Sequence, residues 1–117
     1  MTEDFKIYHN PRCTKSRLTL ELLHNKGYTP EIIEYLTISL KNEEIDEILN
    51  MLGIEPRDVM RKNEPEYKEF RLDDEALSRD DLIQAIIDHP KLLERPIVVK
   101  GNRAAIGRPP ENVLEIL

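Results

Sequence analysis

The sequence has little of several residue types on which whole classes of protein depend. It contains one cysteine, no tryptophan and only 5% aromatic residues among its 117 positions. A single cysteine excludes any disulfide within the chain, and with it the disulfide-stabilised scaffolds of small secreted proteins. Because a lone thiol persists in the reduced state in the cytosol, we expect the protein to be cytoplasmic.

Long apolar runs and an excess of positive charge are also missing. No stretch approaches the roughly 20 apolar residues that a membrane helix needs, and residues 1–4 (MTED) lack the apolar segment of a secretory signal. The 17 basic and 23 acidic residues give a net charge of −6, which disfavours nucleic-acid binding. We therefore expect a monomer of one domain that binds neither membranes nor nucleic acid.

The strand and helix patterns that are present change near residues 36 and 90. Residues 5–8 and 32–36 predict strands on either side of a helix from about Cys13 to Lys26, which is a βαβ unit with parallel strands. Residues 96–100 and 103–106 predict a hairpin across Gly101-Asn102. A last helix is predicted to begin at Pro109-Pro110 and to turn Val113, Leu114 and Leu117 inward.

The segment between these halves differs from them in both pattern and charge. It shows only helical periodicity, and residues 36–90 hold 7 basic and 15 acidic groups against 10 and 8 in the remainder. We predict one α/β domain in which residues 1–36 and 91–117 form a thioredoxin-like core, a four-stranded mixed sheet with flanking helices. Residues 37–90 are predicted to be a helical insertion.

Cys13 is the strongest candidate for chemistry. It follows a strand and a proline-containing turn and begins a helix, where unpaired backbone N–H groups stabilise a thiolate and can hold an oxyanion. A buried structural cysteine is the usual alternative, but its neighbours are polar and basic, in the segment NPRCTKSR. The position therefore favours a reactive nucleophile.

Three neighbouring side chains are candidates for supporting this thiol. Ser16 lies one helical turn after Cys13 and is either a hydrogen-bond donor to the thiolate or an ordinary helix serine. Arg17 adds positive charge there or is solvated on the surface. His9 ends the first strand and either polarises the thiol or has a structural role.

Three arginines occur where a predicted element meets a loop, namely Arg61, Arg95 and Arg108. The planar guanidinium group suits tetrahedral oxyanions. The sequence pattern alone does not distinguish these arginines from the others in the chain. The single cysteine and three scattered histidines have no metal-binding spacing, so no metal is expected.

Residues 7–17 (IYHNPRCTKSR) resemble the active-site opening of the glutaredoxin-coupled arsenate reductase family, the ArsC-like proteins. Residues 59–63 (VMRKN), 95–99 (RPIVV), 107–109 (GRP) and 113–117 (VLEIL) resemble its other signatures in order and spacing. The resemblance implies that Cys13 is the nucleophile and that Arg61, Arg95 and Arg108 hold the arsenic oxyanion. It also implies that Pro96 occupies the cis-proline position of the thioredoxin-like fold.

The same resemblance implies the reaction and its partners. Cys13 attacks arsenate, glutathione acts as the external thiol reductant because the chain has no second cysteine, and glutaredoxin reduces the mixed disulfide that results. No bound cofactor is implied. The expected partners are arsenate or a similar oxyanion, glutathione and glutaredoxin.

Two alternatives share this fold. One is a regulator of the Spx type that binds RNA polymerase, although such proteins typically carry Cys-x-x-Cys where this chain has Ser16. The other is a thiol oxidoreductase that acts on a different oxyanion or on a glutathione adduct. The sequence favours the arsenate reductase.

Overall fold

A four-stranded sheet is built from the two ends of the chain. In a computed structural model that describes residues 4–117, the strands are β1 (Phe5–Tyr8), β2 (Glu31–Ile33), β3 (Ile97–Lys100) and β4 (Arg103–Ile106), in the order β2-β1-β3-β4. β1 pairs with β2 in parallel and with β3 antiparallel, and β3 pairs with β4 antiparallel. The predicted mixed α/β sheet is thus confirmed, whereas residues 1–3 of the predicted core lie outside the described residues.

The helices are α1 (Thr14–Asn25), α2 (Asn42–Leu52), α3 (Pro65–Glu69) and α4 (Arg79–Asp88), with 3₁₀ helices at Pro56–Val59, Pro90–Leu92 and Pro110–Ile116. The chain forms two compact units: one runs to Ile38 and resumes at Arg95, and the other is Ser39–Glu94. All four strands lie in the first unit, and α2, α3 and α4 lie in the second. No helix within residues 4–117 combines the length and apolar character needed to cross a membrane.

The first unit has its own apolar core between the sheet, α1 and the C-terminal 3₁₀ helix. Among residues 4–117, this core includes the buried residues Ile7, Leu23, Val98, Val113 and Ile116. The C-terminal helix differs from the prediction because it is 3₁₀ rather than α-helical. Side chains three residues apart share one face of a 3₁₀ helix, so Pro110, Val113 and Ile116 are buried and Leu114 is left 37% exposed.

The second strand is shorter than predicted. β2 ends at Ile33, and the carbonyl oxygen of Glu34 accepts hydrogen bonds from the Thr37 and Ile38 N–H groups (3.0 and 3.2 Å) and from the Thr37 hydroxyl (3.1 Å). Tyr35 is buried within this turn. The apolar residues after Ile33 therefore belong to a closed turn, although their pattern resembles that of a strand.

The second unit is organised by two amphipathic helices. α2 ends at Gly53, which adopts the left-handed conformation at φ 68°, and α4 begins at a reciprocal Ser78–Asp81 cap. Arg79, the first residue of α4, donates from its Nε to Asp46 Oδ1 (2.8 Å), and this partly exposed ion pair ties the start of α4 to α2.

Candidate active site

Cys13 is the N-cap residue of α1, where the turn after β1 becomes helix. Asn10 organises this turn, since its Oδ1 accepts a hydrogen bond from the Arg12 N–H and its backbone carbonyl accepts one from the Cys13 N–H, both at 3.0 Å. The first helical hydrogen bond runs from the Arg17 N–H to the Cys13 carbonyl oxygen. The thiol is partly exposed and lies beside the backbone N–H groups of the first helical turn, which have no partner within the helix.

The surroundings of Cys13 shift its pKa in two directions. Partial burial raises the pKa because it disfavours the thiolate. Hydrogen bonds from the backbone N–H groups of Ser16 and Lys15, and the hydrogen bond and charge of the Arg95 side chain, lower it. These effects outweigh burial, so the pKa of Cys13 lies below its ordinary value and more of the nucleophilic thiolate exists at neutral pH.

Two arginines meet at this thiol because the β3–β4 hairpin brings its ends together. Arg95 precedes β3 and Arg108 follows β4, and Ile97 pairs with Ile106 at this end of the ladder. Arg108 Nη2 lies 3.7 Å from Cys13 Sγ, and Arg108 Nε donates to the Arg95 carbonyl oxygen (2.9 Å). The Nε of Arg95 is buried and, among residues 4–117, has no hydrogen-bond partner.

Gly107 holds the hairpin ends close to α1. The Arg95–Pro96 and Arg108–Pro109 peptide bonds are both cis, the first as the family resemblance implies. The Gly107 N–H donates to the Pro96 carbonyl oxygen (2.9 Å), and a β-carbon at Gly107 would lie 2.5 Å from Thr19 Oγ1 on α1. Sequence analysis gave this residue no positioning role, although glycine is the residue that permits such a close approach of backbone.

Ser16 does not use its hydroxyl group on the thiol. Its Oγ forms a hydrogen bond with His9 Nδ1 (2.6 Å) and accepts a second hydrogen bond from the Asn10 N–H (3.1 Å). Ser16, His9 and Asn10 are all buried. The Ser16 group that reaches Cys13 is its backbone N–H. The Ser16 hydroxyl therefore stabilises the turn before α1 through His9 and Asn10, and it does not donate to the thiolate.

His9 is buried at the end of β1. Burial lowers its pKa, the Glu34 carboxylate raises it and the Arg17 guanidinium lowers it, and the net pKa lies below the ordinary value. The imidazole is therefore mainly neutral at pH 7 and acts here through its hydrogen bond to Ser16.

Arg17 and Arg61 bind protein groups in this structure. Arg17 Nη1 donates to the Pro11 carbonyl oxygen (3.2 Å) and its Nη2 to Thr14 Oγ1 (3.4 Å), so this side chain braces the turn before α1. Arg61 lies in the second unit, where its Nη1 donates to Glu64 Oε1 (2.5 Å) and its Nε lies 3.9 Å from Glu94 Oε1. The structure thus brings Arg95 and Arg108 to Cys13 and places Arg61 among acidic partners of its own unit.

Comparison with known proteins identifies the family. The family model described as "ArsC family" matches residues 8–116. The chain therefore belongs to the ArsC family.

Individual relatives are similar over nearly their whole length. An arsenate reductase from Haemophilus influenzae is 51% identical over 112 residues, which is 95% of this chain and 97% of that protein. A protein of Escherichia coli named uncharacterized protein YfgD is 52% identical over 118 residues, 100% of this chain and 99% of its own length. The solved structure of an arsenate reductase from Vibrio cholerae superposes with a TM-score of 0.95 at 51% identity and covers 100% of both chains.

Proposed function

We propose that this protein reduces arsenate to arsenite through Cys13, with glutathione and glutaredoxin as the external thiol system. The observation that carries the proposal is the meeting of the Cys13 thiol with the guanidinium groups of Arg95 and Arg108 at the start of α1. Membership of the ArsC family and the similarity to the arsenate reductase of Haemophilus influenzae support arsenate as the substrate.

The residues around Cys13 suit a tetrahedral oxyanion. Arg108 presents Nη2 beside the sulfur, and the buried Nε of Arg95 has an N–H group that an arsenate oxygen would satisfy. The backbone N–H groups at the start of α1 also favour negative charge. These donors would stabilise the charge on arsenate as the sulfur attacks.

The reaction balances with one protein thiol and one external thiol. The Cys13 sulfur forms a bond to arsenic, and one arsenate oxygen leaves as water after protonation. The glutathione thiolate then attacks the Cys13 sulfur, a disulfide bond forms, and arsenic keeps the electron pair of the broken S–As bond and leaves as arsenite. Two thiols have lost two electrons and As(V) has become As(III). Glutaredoxin then reduces the mixed disulfide and restores Cys13.

For Arg61, a role in substrate binding is supported only by the resemblance of residues 59–63 to the family signature. We propose that it contributes to oxyanion binding once substrate competes with its ion pair to Glu64. Arg61→Ala should then raise the KM for arsenate, whereas alanine at its exposed neighbour Lys62 should leave it unchanged. Because glutathione and glutaredoxin are the proposed reductants, we also propose that the protein acts in the cytosol.

The decisive experiment measures arsenite formation by the purified protein with glutathione and glutaredoxin. Activity is expected for the wild type, and none for a folded Cys13→Ser variant. Arg95→Ala should reduce kcat/KM on the order of 100-fold, and Arg95→Lys should recover only part of it because lysine keeps the charge without the planar fork. Arg103→Ala is the matched control, since Arg103 lies in β4 and its Nη2 bonds the Glu115 carbonyl oxygen. If no thiol system supports arsenite formation, the proposal is wrong. If thioredoxin supports the reaction without glutathione, the part of the proposal that names glutathione is wrong.

A further inference from the structure

Two carboxylates of the second unit hold the guanidinium group of Arg61. Arg61 Nη1 donates to Glu64 Oε1 (2.5 Å), and Arg61 Nε lies 3.9 Å from Glu94 Oε1. All three side chains are between 22% and 27% exposed, so solvent and salt screen these ion pairs only in part. The charge of Arg61 is therefore largely committed to protein partners.

Backbone hydrogen bonds keep both carboxylates beside Arg61. The Arg61 N–H donates to the Leu92 carbonyl oxygen (2.6 Å), and the Glu94 N–H donates to the Val59 carbonyl oxygen (2.8 Å). These two bonds hold Arg61 and Glu94 on neighbouring antiparallel segments. The Glu64 N–H donates to the Arg61 carbonyl oxygen (3.1 Å), in the turn that leads into α3. Local chain geometry thus fixes where both carboxylates lie.

The charges of this cluster do not balance. Two carboxylates face one guanidinium group, so one negative charge is left over at neutral pH. An oxyanion that approaches Arg61 meets this excess charge, and it has to replace Glu64 at Nη1 to gain a hydrogen bond there. The pair with Glu64 is shorter than the pair with Glu94, so Glu64 should account for more of the opposition.

We propose that Glu64 and Glu94 are positioning residues that set the affinity of the oxyanion site by competing with the oxyanion for Arg61. The inference rests on the proposed function, in which Arg61 contributes to oxyanion binding. Arg61 exchanges the Glu64 carboxylate for an oxyanion oxygen, and no covalent bond changes in this step. The competition acts on binding and not on the attack by Cys13, so it should change KM and leave kcat as it is.

A kinetic test uses glutamine, which removes the charge of each carboxylate and keeps its size. Glu64→Gln should lower the KM for arsenate about three- to five-fold with kcat unchanged. Glu94→Gln should lower it less, because its pair with Arg61 is longer. Glu69→Gln is the matched control, since Glu69 is an exposed residue of the same helix α3, and it should leave KM unchanged. A KM that stays the same or rises in Glu64→Gln, or that falls equally in Glu69→Gln, would overturn the inference.

A double variant shows whether the effect passes through Arg61. In a protein that already carries Arg61→Ala, the further change Glu64→Gln should not alter the KM for arsenate, because the group for which Glu64 competes is gone. An equal fall in KM with and without Arg61 would show that Glu64 acts on the oxyanion directly, and the inference would be wrong.

A binding test stands apart from arsenate reduction. Sulfate, a tetrahedral dianion, should slow the alkylation of Cys13 by iodoacetamide in a saturable way, and half-protection should need about three- to five-fold less sulfate in Glu64→Gln than in the wild type. Equal protection of the two proteins, or none, would overturn the inference. The expected shift in a protein that reduces no arsenate would support the inference and overturn only the proposed arsenate reduction. Arsenate reduction whose KM is the same in the wild type and in Glu64→Gln would overturn the inference and keep the proposed function.

Discussion

Gly107 lies so close to Pro96 that a β-carbon added to Gly107 would be 2.8 Å from Pro96 Cγ. The same glycine donates its N–H to the Pro96 carbonyl oxygen. This hydrogen bond and the close packing of Gly107 on Pro96 hold the two ends of the β3–β4 hairpin together. Arg95 and Arg108 flank this pair in sequence. The glycine thus sets where both guanidinium groups lie relative to Cys13 without itself contacting the sulfur.

Replacement of Gly107 by alanine should therefore damage both stability and activity. The new methyl group would displace Thr19 or Pro96 in a buried region, and overpacking of this kind costs about 1–3 kcal/mol in the free energy of unfolding. Movement of Pro96 would also shift Arg95. Urea denaturation should show the loss of stability, and kcat/KM for arsenate should fall even at temperatures where the variant is fully folded.

Gly53→Ala supplies the matched control for that variant. Gly53 has φ 68° and open space where a β-carbon would stand, so alanine there costs stability through backbone conformation alone, by about 1–2 kcal/mol. Its kcat/KM should equal that of the wild type. If Gly53→Ala and Gly107→Ala lower activity equally, loss of stability explains both and the positioning role of Gly107 is wrong.

Arg95 should account for part of the lowered pKa of Cys13. Its side chain both hydrogen-bonds to the thiolate and lies near it as a positive charge, and both effects favour ionisation. The rate of alkylation by iodoacetamide, measured against pH, should have its midpoint below the free-thiol value of about 8.5. Arg95→Ala should move this midpoint upward, and Arg103→Ala should not. A wild-type midpoint at or above the free-thiol value would contradict the activated nucleophile.

Much of the fold follows from local patterns in the sequence. The hairpin across Gly101-Asn102 was predicted from a short segment and is confirmed. The Ser78–Asp81 cap of α4 and the end of α2 at Gly53 are features of the same local kind. Such features depend on few neighbouring residues, which is why local reasoning reaches them. Cys13 at the start of α1 belongs to the same group.

Features that depend on tertiary contacts were not predictable in this way. The buried face of the C-terminal helix was predicted with α-helical periodicity, which placed Leu114 in the core. In the 3₁₀ helix that forms, Ile116 is buried and Leu114 is exposed. α3 lies within the predicted helical insertion but had no bounds in the prediction, because Pro65–Glu69 is short and has no buried residue. The hydrogen bond between the Ser16 hydroxyl and His9 was likewise not predicted, because it forms only when the turn between the two residues folds.

The Ser16 hydroxyl should stabilise the turn before α1 without setting the pKa of the thiol. Ser16→Ala would leave His9 Nδ1 and the Asn10 N–H without their buried partner, at a cost of about 1–3 kcal/mol in unfolding free energy. The pKa of Cys13 should change little, because the backbone N–H that bonds the thiolate remains. Ser78→Ala, which removes only an exposed cap, should cost about 1 kcal/mol. A large rise in the pKa of Cys13 in Ser16→Ala would instead indicate direct donation by the hydroxyl.

Burial of His9 should make the folded protein less stable in mild acid. Its pKa in the folded state lies below the ordinary value of 6.5, because burial and Arg17 together outweigh the opposing effect of Glu34. Between these two pKa values the unfolded chain binds more protons than the folded chain, so stability falls as the pH is lowered through about 6.5. His9→Asn removes the titrating ring while keeping a polar side chain near Ser16. The unfolding free energy of the wild type minus that of His9→Asn, measured from pH 8 to pH 5, should therefore decrease toward acid. A difference that stays constant or grows as the pH falls would show that the folded state does not resist protonation of His9.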